Sequence, residues 1–332
     1  MDRKKIPVTI VTGFLGAGKT SLLNAIIKNQ STTKFAIIEN EFGELAIDGG
    51  LLLAAKENIY ELSNGCICCS LQSEFTHVIE RLLQSPYPFN HLLIETTGIA
   101  NPLTVIKPFL QGDSFPFLFE INAVVCIIDA KNMHELSKKH HEIHQQIALS
   151  DILVINKIDC VSELEMENIH ALLRQKNPLA KILTSSYGNI NTDEIVFASS
   201  YQTEQVAQSV YSFMPQISKT AQSSALTKKL DPLSHTLYSE AFEFTIPFDV
   251  DTFSSWIRTF VRFNHRSIYR IKGVVSFANL SGKYVLQSVN DIVTFDISTT
   301  HTEENTHSKL VFIGNNIQSE ELEESLNELL AR

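Results

Sequence analysis

The residues with the plainest chemical purpose are Gly13-Phe14-Leu15-Gly16-Ala17-Gly18-Lys19-Thr20, which fit G-x-x-x-x-G-K-[ST]. Glycine lets successive backbone N–H groups curl around phosphate oxygens, and a helix opening at the loop adds its partial positive charge. Lys19 would reach the terminal phosphates and the Thr20 hydroxyl would ligate Mg²⁺. Gly13, Gly16, Ala17, Gly18, Lys19, Thr20 and Ser21 are therefore the candidate phosphate-site residues. A glycine-rich turn can match this pattern by chance. The apolar run Val8 to Val11 before it and the helical pattern after it supply the context that makes nucleotide binding the expectation.

Two further segments refine that expectation. Asn156-Lys157-Ile158-Asp159 follows the apolar run Ile152 to Ile155, at the C-terminal end of a strand where such sheets bind ligands. The Asp159 carboxylate can accept two hydrogen bonds from the N1 and exocyclic amine of guanine, a pairing that adenine lacks. Asn156 is expected at the base edge, the Lys157 stem on the ring, and Thr184 to Gly188 over the base. The alternative is a simple helix-capping turn. Glu95-Thr96-Thr97-Gly98 ends another strand and has the form of an acidic-x-x-Gly element that supports Mg²⁺ and senses a γ-phosphate. Ile99 follows, where some GTPases place a glutamine that orients the attacking water. An aliphatic side chain cannot do that, so slow intrinsic hydrolysis of GTP to GDP is expected. Lys19, Thr20 and Glu95 are the candidate catalytic groups.

The third constellation is Cys66-Ile67-Cys68-Cys69. Three thiols in four residues suit a soft or borderline ion such as Zn²⁺ or Cu(I). Glu39 and Glu41 are candidate additional ligands, with Glu44 in the same stretch. That stretch follows the second predicted strand, so it could approach both nucleotide and thiols. A redox-active vicinal pair and simple apolar packing are the competing readings. Cys126 and Cys160 are expected to pack in the core. His134, His140, His141 and His144 fall on one predicted helix, where His140 and His144 could share a face, although a solvated face is the blander reading. His77 and His91 are expected to be structural.

These residues must be held by a substantial scaffold. The chain has 332 residues, 44% of them hydrophobic and 19% charged, which is about two domains and enough apolar material for a core. Its 27 basic and 37 acidic residues give a charge of -10, which disfavours binding to nucleic acid. No apolar run is long enough to span a membrane, and the first residues lack the features of a signal peptide. Five cysteines, three of them clustered, fit a reducing compartment, so a cytoplasmic location is expected.

Strands are expected at 8–11, 35–38, 92–94, 124–128, 152–155 and 182–184, and helices at 19–28, 71–83, 133–149 and 163–174. Near-continuous Val/Ile/Leu strands alternating with helices predict an α/β domain with a parallel sheet covered on both faces. This domain is placed at 1–214, followed by a polar connection at 215–236. A smaller α+β domain at 237–332 is read from an alternating strand near Phe242 to Ile246, a helix around Trp256, four further strands and a closing helix with Leu322, Leu326, Leu329 and Leu330. Arg258, Arg262, Arg266 and Arg270 recur every four residues and are read as a solvated face, with contact to an acidic partner as the alternative.

Taken together, Gly13 to Thr20, Glu39 to Asp48, Cys66 to Cys69, Glu95 to Pro102 and Asn156 to Asp159 resemble the CobW-type P-loop GTPases, relatives of the nickel-insertion GTPases of urease and hydrogenase. Tyr269 to Gly273 and Leu310 to Gly314 resemble that family's C-terminal domain. The resemblance implies a GTP-dependent metallochaperone, most often for Zn²⁺ with Co²⁺ or other ions possible, that hands its ion to a client metalloprotein. Cys66, Cys68 and Cys69 match the family's metal-binding cysteines, and Lys19, Thr20, Glu95 and Asn156 to Asp159 its nucleotide site. The long histidine-rich tract of many members is absent. A homo-oligomer is possible. The competing expectations are a conformational activator of metalloenzyme maturation with a structural metal, and a small-molecule P-loop kinase, against which Asn156 to Asp159 argues.

Overall fold

A computed structural model describes residues 4–39, 52–56, 59–63, 72–86, 88–112, 114–186, 189–220, 237–299 and 307–331. The chain divides into two units, residues 1–170 with 181–201 and residues 171–180 with 202–332.

The first unit is built on an eight-stranded sheet. Its strands are β1 (Ile6–Gly13), β2 (Phe35–Glu39), β3 (Leu52–Lys56), β4 (Ile59–Ser63), β5 (His91–Glu95), β6 (Phe119–Asp129), β7 (Ile152–Asn156) and β8 (Lys181–Thr184), in the order β3-β4-β2-β5-β1-β6-β7-β8. All pairings are parallel except β3 with β4. The helices are α1 (Lys19–Asn29), α2 (Gln72–Gln84), α3 (Leu103–Leu110), α4 (Phe115–Leu118), α5 (Met133–Lys139), α6 (His141–Leu149), α7 (Glu163–Lys176), whose residues from 171 on group with the second unit, and α8 (Asp193–Val196). Every residue of β7 is buried, as are Val124 to Ile128 and Leu92 to Ile94, because helices cover both faces. This is a P-loop-type α/β sheet, and each of the six expected strands is in it. The β3–β4 hairpin was not expected.

One expected helix is two. The segment 133–149 breaks at His140, whose φ of -126° and ψ of 109° are extended, so the four histidines do not share one helical face. The His140 ring lies tilted at 40° against Phe14 with centroids 4.5 Å apart, a tertiary contact that accompanies the break.

The second unit carries β9 (Leu237–Phe244), β10 (Ile268–Val275), β11 (Lys283–Val289), β12 (Ile292–Ser298) and β13 (Ser308–Asn315), an antiparallel sheet in the order β12-β11-β10-β13-β9. Its helices are α9 (Thr203–Thr220), α10 (Val250–Asn264) and α11 (Ser319–Asn327). Phe253, Ile257 and Val261 of α10 and Leu322 and Leu326 of α11 form an aromatic-rich core with Ile271, Leu286 and Phe312 of the sheet.

Three expectations are corrected in this unit. Helix α9 packs on β10 to β13, so 202–214 group with the second unit, and 215–220 are helical rather than a connection; residues 221–236 lie outside the described residues. The closing helix ends at Asn327, and Leu330 instead bridges to Phe248. Arg270 is only 1% exposed on β10, while Arg258, Arg262 and Arg266 are exposed. Strand alternation turns Arg270 away from the face of Ile271.

Candidate nucleotide site

The expected phosphate loop connects β1 to α1. Gly13, Gly16 and Gly18 have φ of 139°, 73° and 106°, a backbone that side-chain-bearing residues rarely adopt. A Cβ on Gly13 would lie 2.5 Å from the Ile127 carbonyl oxygen, so the first glycine is also required by close packing on β6. Ala17 is fully buried, with its N–H bonded to the Phe14 carbonyl at 3.2 Å, whereas Thr20 and Ser21 are exposed at the start of α1.

Lys19 is largely buried, and its Nζ donates to the carbonyls of Gly13 at 3.0 Å and Phe14 at 3.4 Å. The ammonium is thus folded onto the loop that would cradle phosphate. Burial pushes its pKa down, opposed by the nearby Glu95 carboxylate. Beneath the loop, burial raises the Cys126 thiol to about 12, which fits the core-packing role expected for it. Thr20 Oγ1 donates to Glu95 Oε1 at 3.5 Å, so the two oxygen groups expected to support Mg²⁺ face one another. Hard oxygen donors suit that ion.

The segment after Glu95 is anchored to β1. Thr96 N–H donates to the Val11 carbonyl at 2.9 Å and Thr96 Oγ1 to Thr12 Oγ1 at 2.9 Å. Gly98 lies against the phosphate loop, where a Cβ would come within 2.6 Å of the Leu15 nitrogen. Ile99 is 48% exposed.

The Asn156 to Asp159 segment is tied to the loop after β1 and to the end of β6. Asn156 is buried, and its Nδ2 donates to the Ala17 carbonyl at 2.9 Å, joining the end of β7 to the phosphate loop. Lys157 sits in the left-handed region at φ 61° and its Nζ meets Asp129 Oδ2 at 2.8 Å. Burial alone would raise the Asp129 carboxyl, but the bonds from Lys157 and Asn132 win and hold it below the usual carboxylate range. Asp159 is exposed and accepts from Ser186 Oγ at 2.6 Å and from the Cys160 thiol at 3.4 Å. Both oxygens that guanine would use are in hydrogen-bonding reach of neighbours. Cys160 is exposed and not in the core as expected, because the chain turns outward after β7. Of the segment expected over the base, Tyr187 and Gly188 lie outside the described residues.

Glu39 closes β2; its side chain, together with Glu41, Glu44, Cys66, Cys68 and Cys69, lies outside the described residues. Backbone register still locates the approach to them. Ile38 pairs with Ile94, placing Glu39 beside Glu95, and Glu39 itself pairs with Ser63, three residues before Cys66. Among the described residues, no group of three or more His, Cys, Asp or Glu is arranged to hold a metal. His77 is exposed beside Glu80, contrary to a structural role, whereas His91 is buried.

A strand, glycine loop and helix with a buried lysine, set in a parallel sheet, define a P-loop nucleotide-binding protein. The family model described as CobW/HypB/UreG, nucleotide-binding domain matches residues 7–184, and the cobalamin synthesis protein cobW C-terminal domain matches 238–330. The chain belongs to the CobW/HypB/UreG family, and it is a GTPase. It is 28% identical over 321 residues to the zinc chaperone YjiA of Escherichia coli, covering 96% of each chain. It is 29% identical to the zinc-regulated GTPase metalloprotein activator 1 of Schizosaccharomyces pombe, covering 94% of this chain and 83% of that one. The solved structure of Zn(II)-bound YjiA GTPase superposes with a TM-score of 0.76 at 23% identity, covering 99% of this chain and all of that one. No helix among the described residues is long and apolar enough to cross a membrane.

Proposed function

We propose that the chain is a GTP-dependent zinc chaperone that binds its cargo ion at Cys66, Cys68 and Cys69 with help from Glu39 or Glu41, and hands it to a client metalloprotein. The observation that carries the reading is the order of strand ends along one sheet edge. Ser63 of β4, Glu39 of β2, Glu95 of β5 and the loop after β1 follow one another across neighbouring strands. Three strand spacings amount to roughly 14 Å. Glu39, at the end of β2, therefore stands between the strand end that leads to the thiols and those that carry Glu95 and the phosphate loop. The zinc-chaperone and metalloprotein-activator names of the relatives support the same reading.

In this reading Lys19 exchanges its loop carbonyls for phosphate oxygens, which satisfy the ammonium better because they are charged. Backbone N–H groups of Gly16 to Thr20 hold the β-phosphate, and Asp159 selects guanine after releasing Ser186 and Cys160. Thr20 and Glu95 would support Mg²⁺, which neutralises charge building on the transferring phosphoryl group. Gly98 contacts the γ-phosphate. Ile99 offers no group to orient water, so hydrolysis is slow until a partner supplies one. Loss of the γ-phosphate frees the segment after Glu39 and loosens the ion, which makes the two affinities reciprocally coupled.

The test is to load reduced protein with Zn²⁺ and follow its release to a chromogenic chelator. Release with GTP should track phosphate production and be slow with a non-hydrolysable analogue. Equal release with both nucleotides would sink nucleotide-driven transfer and favour a structural metal in a conformational activator.

A further inference from the structure

Gln146 lies on α6, outside every motif singled out from the sequence, and is 1% exposed. Its Nε2 donates to the carbonyl of Gly98 at 3.1 Å and to that of Ala100 at 3.3 Å. These carbonyls belong to the tight turn Thr97 to Ala100, which closes with Ala100 N–H on the Thr97 carbonyl at 3.1 Å. One buried amide therefore grips the far end of the turn, while Thr96 is pinned to β1 at the near end. Between the two anchors, Gly98 rests against Leu15 of the phosphate loop. Helix α6 packs on β1 and β6, and the His140 ring just before it lies 4.5 Å, centroid to centroid, from that of Phe14 in the same loop. The turn is thus tied through α6 to the loop on which phosphates would sit.

We propose that Gln146 is a positioning residue that sets the Thr97–Ala100 turn for recognition of the terminal phosphate. This rests on the nucleotide-site reading above, and specifically on Gly98 contacting the γ-phosphate. Without the grip, the turn has one anchored end. Its Gly98 amide then has to be ordered when GTP binds, which costs conformational entropy. Binding of GDP, which has no group at that position, does not draw on the turn. The sequence holds an aliphatic residue at position 99, where a water-orienting glutamine is often found, so correct placement of the turn rests more heavily on its backbone.

The experiment measures affinities for GDP and a non-hydrolysable GTP analogue, with Mg²⁺, for wild type, Gln146→Leu, Gln146→Glu and Lys19→Ala. Both Gln146 variants should lower the analogue-to-GDP affinity ratio about tenfold, consistent with losing one buried and one part-buried hydrogen bond, and keep GDP affinity within about twofold. A merely structural role would weaken both nucleotides in parallel, and that result, or an unchanged ratio, would overturn the proposal. Should either variant fail to fold, hydrogen exchange on wild type decides. Replacing GDP by the analogue should protect peptides covering 97–100 and 141–149 together, and protection of the turn alone would overturn it. Failure of the underlying reading is distinguishable, since it would show as nucleotide binding by Lys19→Ala equal to wild type, or as wild-type indifference to the γ-phosphate.

Discussion

Acid should destabilise this protein through one buried imidazole. His91 begins β5, is 2% exposed, and packs its ring 5.4 Å from that of Phe35. Asn122 Nδ2 donates to Thr9 Oγ1 at 2.8 Å, and Thr9 Oγ1 lies 2.8 Å from His91 Nε2. With its oxygen already accepting, the Thr9 hydroxyl is best used as a donor to an unprotonated Nε2. Protonation would turn that acceptor into a donor and bury a charge, and burial lowers the His91 pKa to about 4 from an ordinary 6.5. The unfolded chain therefore binds a proton more readily between these values. Stability from this group is complete above pH 6.5 and is lost as pH falls towards 4. At pH 5 the loss is about 2 kcal/mol. Urea unfolding of nucleotide-free protein at pH 7.5 and 5 measures it, with His91→Gln as the reference in which the group no longer titrates. Wild type should lose about 2 kcal/mol more than the variant over that interval. Equal losses would refute the argument from the Asn122–Thr9–His91 chain.

Other outcomes follow from the site. Asn156→Ala removes the bond to Ala17, and should weaken GDP, IDP and XDP by a common factor of about 5 to 150, from roughly 1–3 kcal/mol for a buried hydrogen bond; weakening of GDP alone would show that Asn156 serves the base instead. Gly18→Ala places a methyl 2.4 Å from Asn156 Nδ2 at a φ of 106°, so nucleotide binding measured by calorimetry should be abolished or nearly so. The Asp159 bond is the leading cause that raises the Cys160 thiol pKa. Asp159→Asn should therefore speed alkylation of Cys160 near neutral pH, read by peptide mass mapping, and an unchanged rate would contradict the bond.

Much of the first sheet was legible because buried parallel strands demand apolar runs whatever the partner, as in Ile152 to Ile155. The phosphate loop was legible for a different reason, since its left-handed glycines and its lysine are chemical requirements at fixed spacing. The break at His140 carried no proline or glycine signal, and the ring contact with Phe14 that accompanies it is more than 120 residues away in sequence. Gln146 was illegible because its partners are backbone carbonyls, which have no side-chain signature. Asn156 was legible as the residue that ends a buried strand, but its bond to the Ala17 carbonyl needed the fold. Helix α9 was illegible because Pro215 falls inside it and mostly polar residues follow, and α11 reads too long because Leu329 and Leu330 continue its apolar spacing after the helix has ended.

Coupling of guanine nucleotide to a thiolate-bound ion along one end of the sheet should show in the Zn²⁺ affinity. Chelator competition on reduced protein, with Mg²⁺ and either a GTP analogue or GDP, should give a tight site that weakens at least about tenfold in the GDP state, a coupling of about 1.4 kcal/mol. Cys66→Ser should remove the site in both states. Equal affinity with both nucleotides would mean that nucleotide and ion are not coupled, and a tight site that survives Cys66→Ser would mean that the ion is held elsewhere.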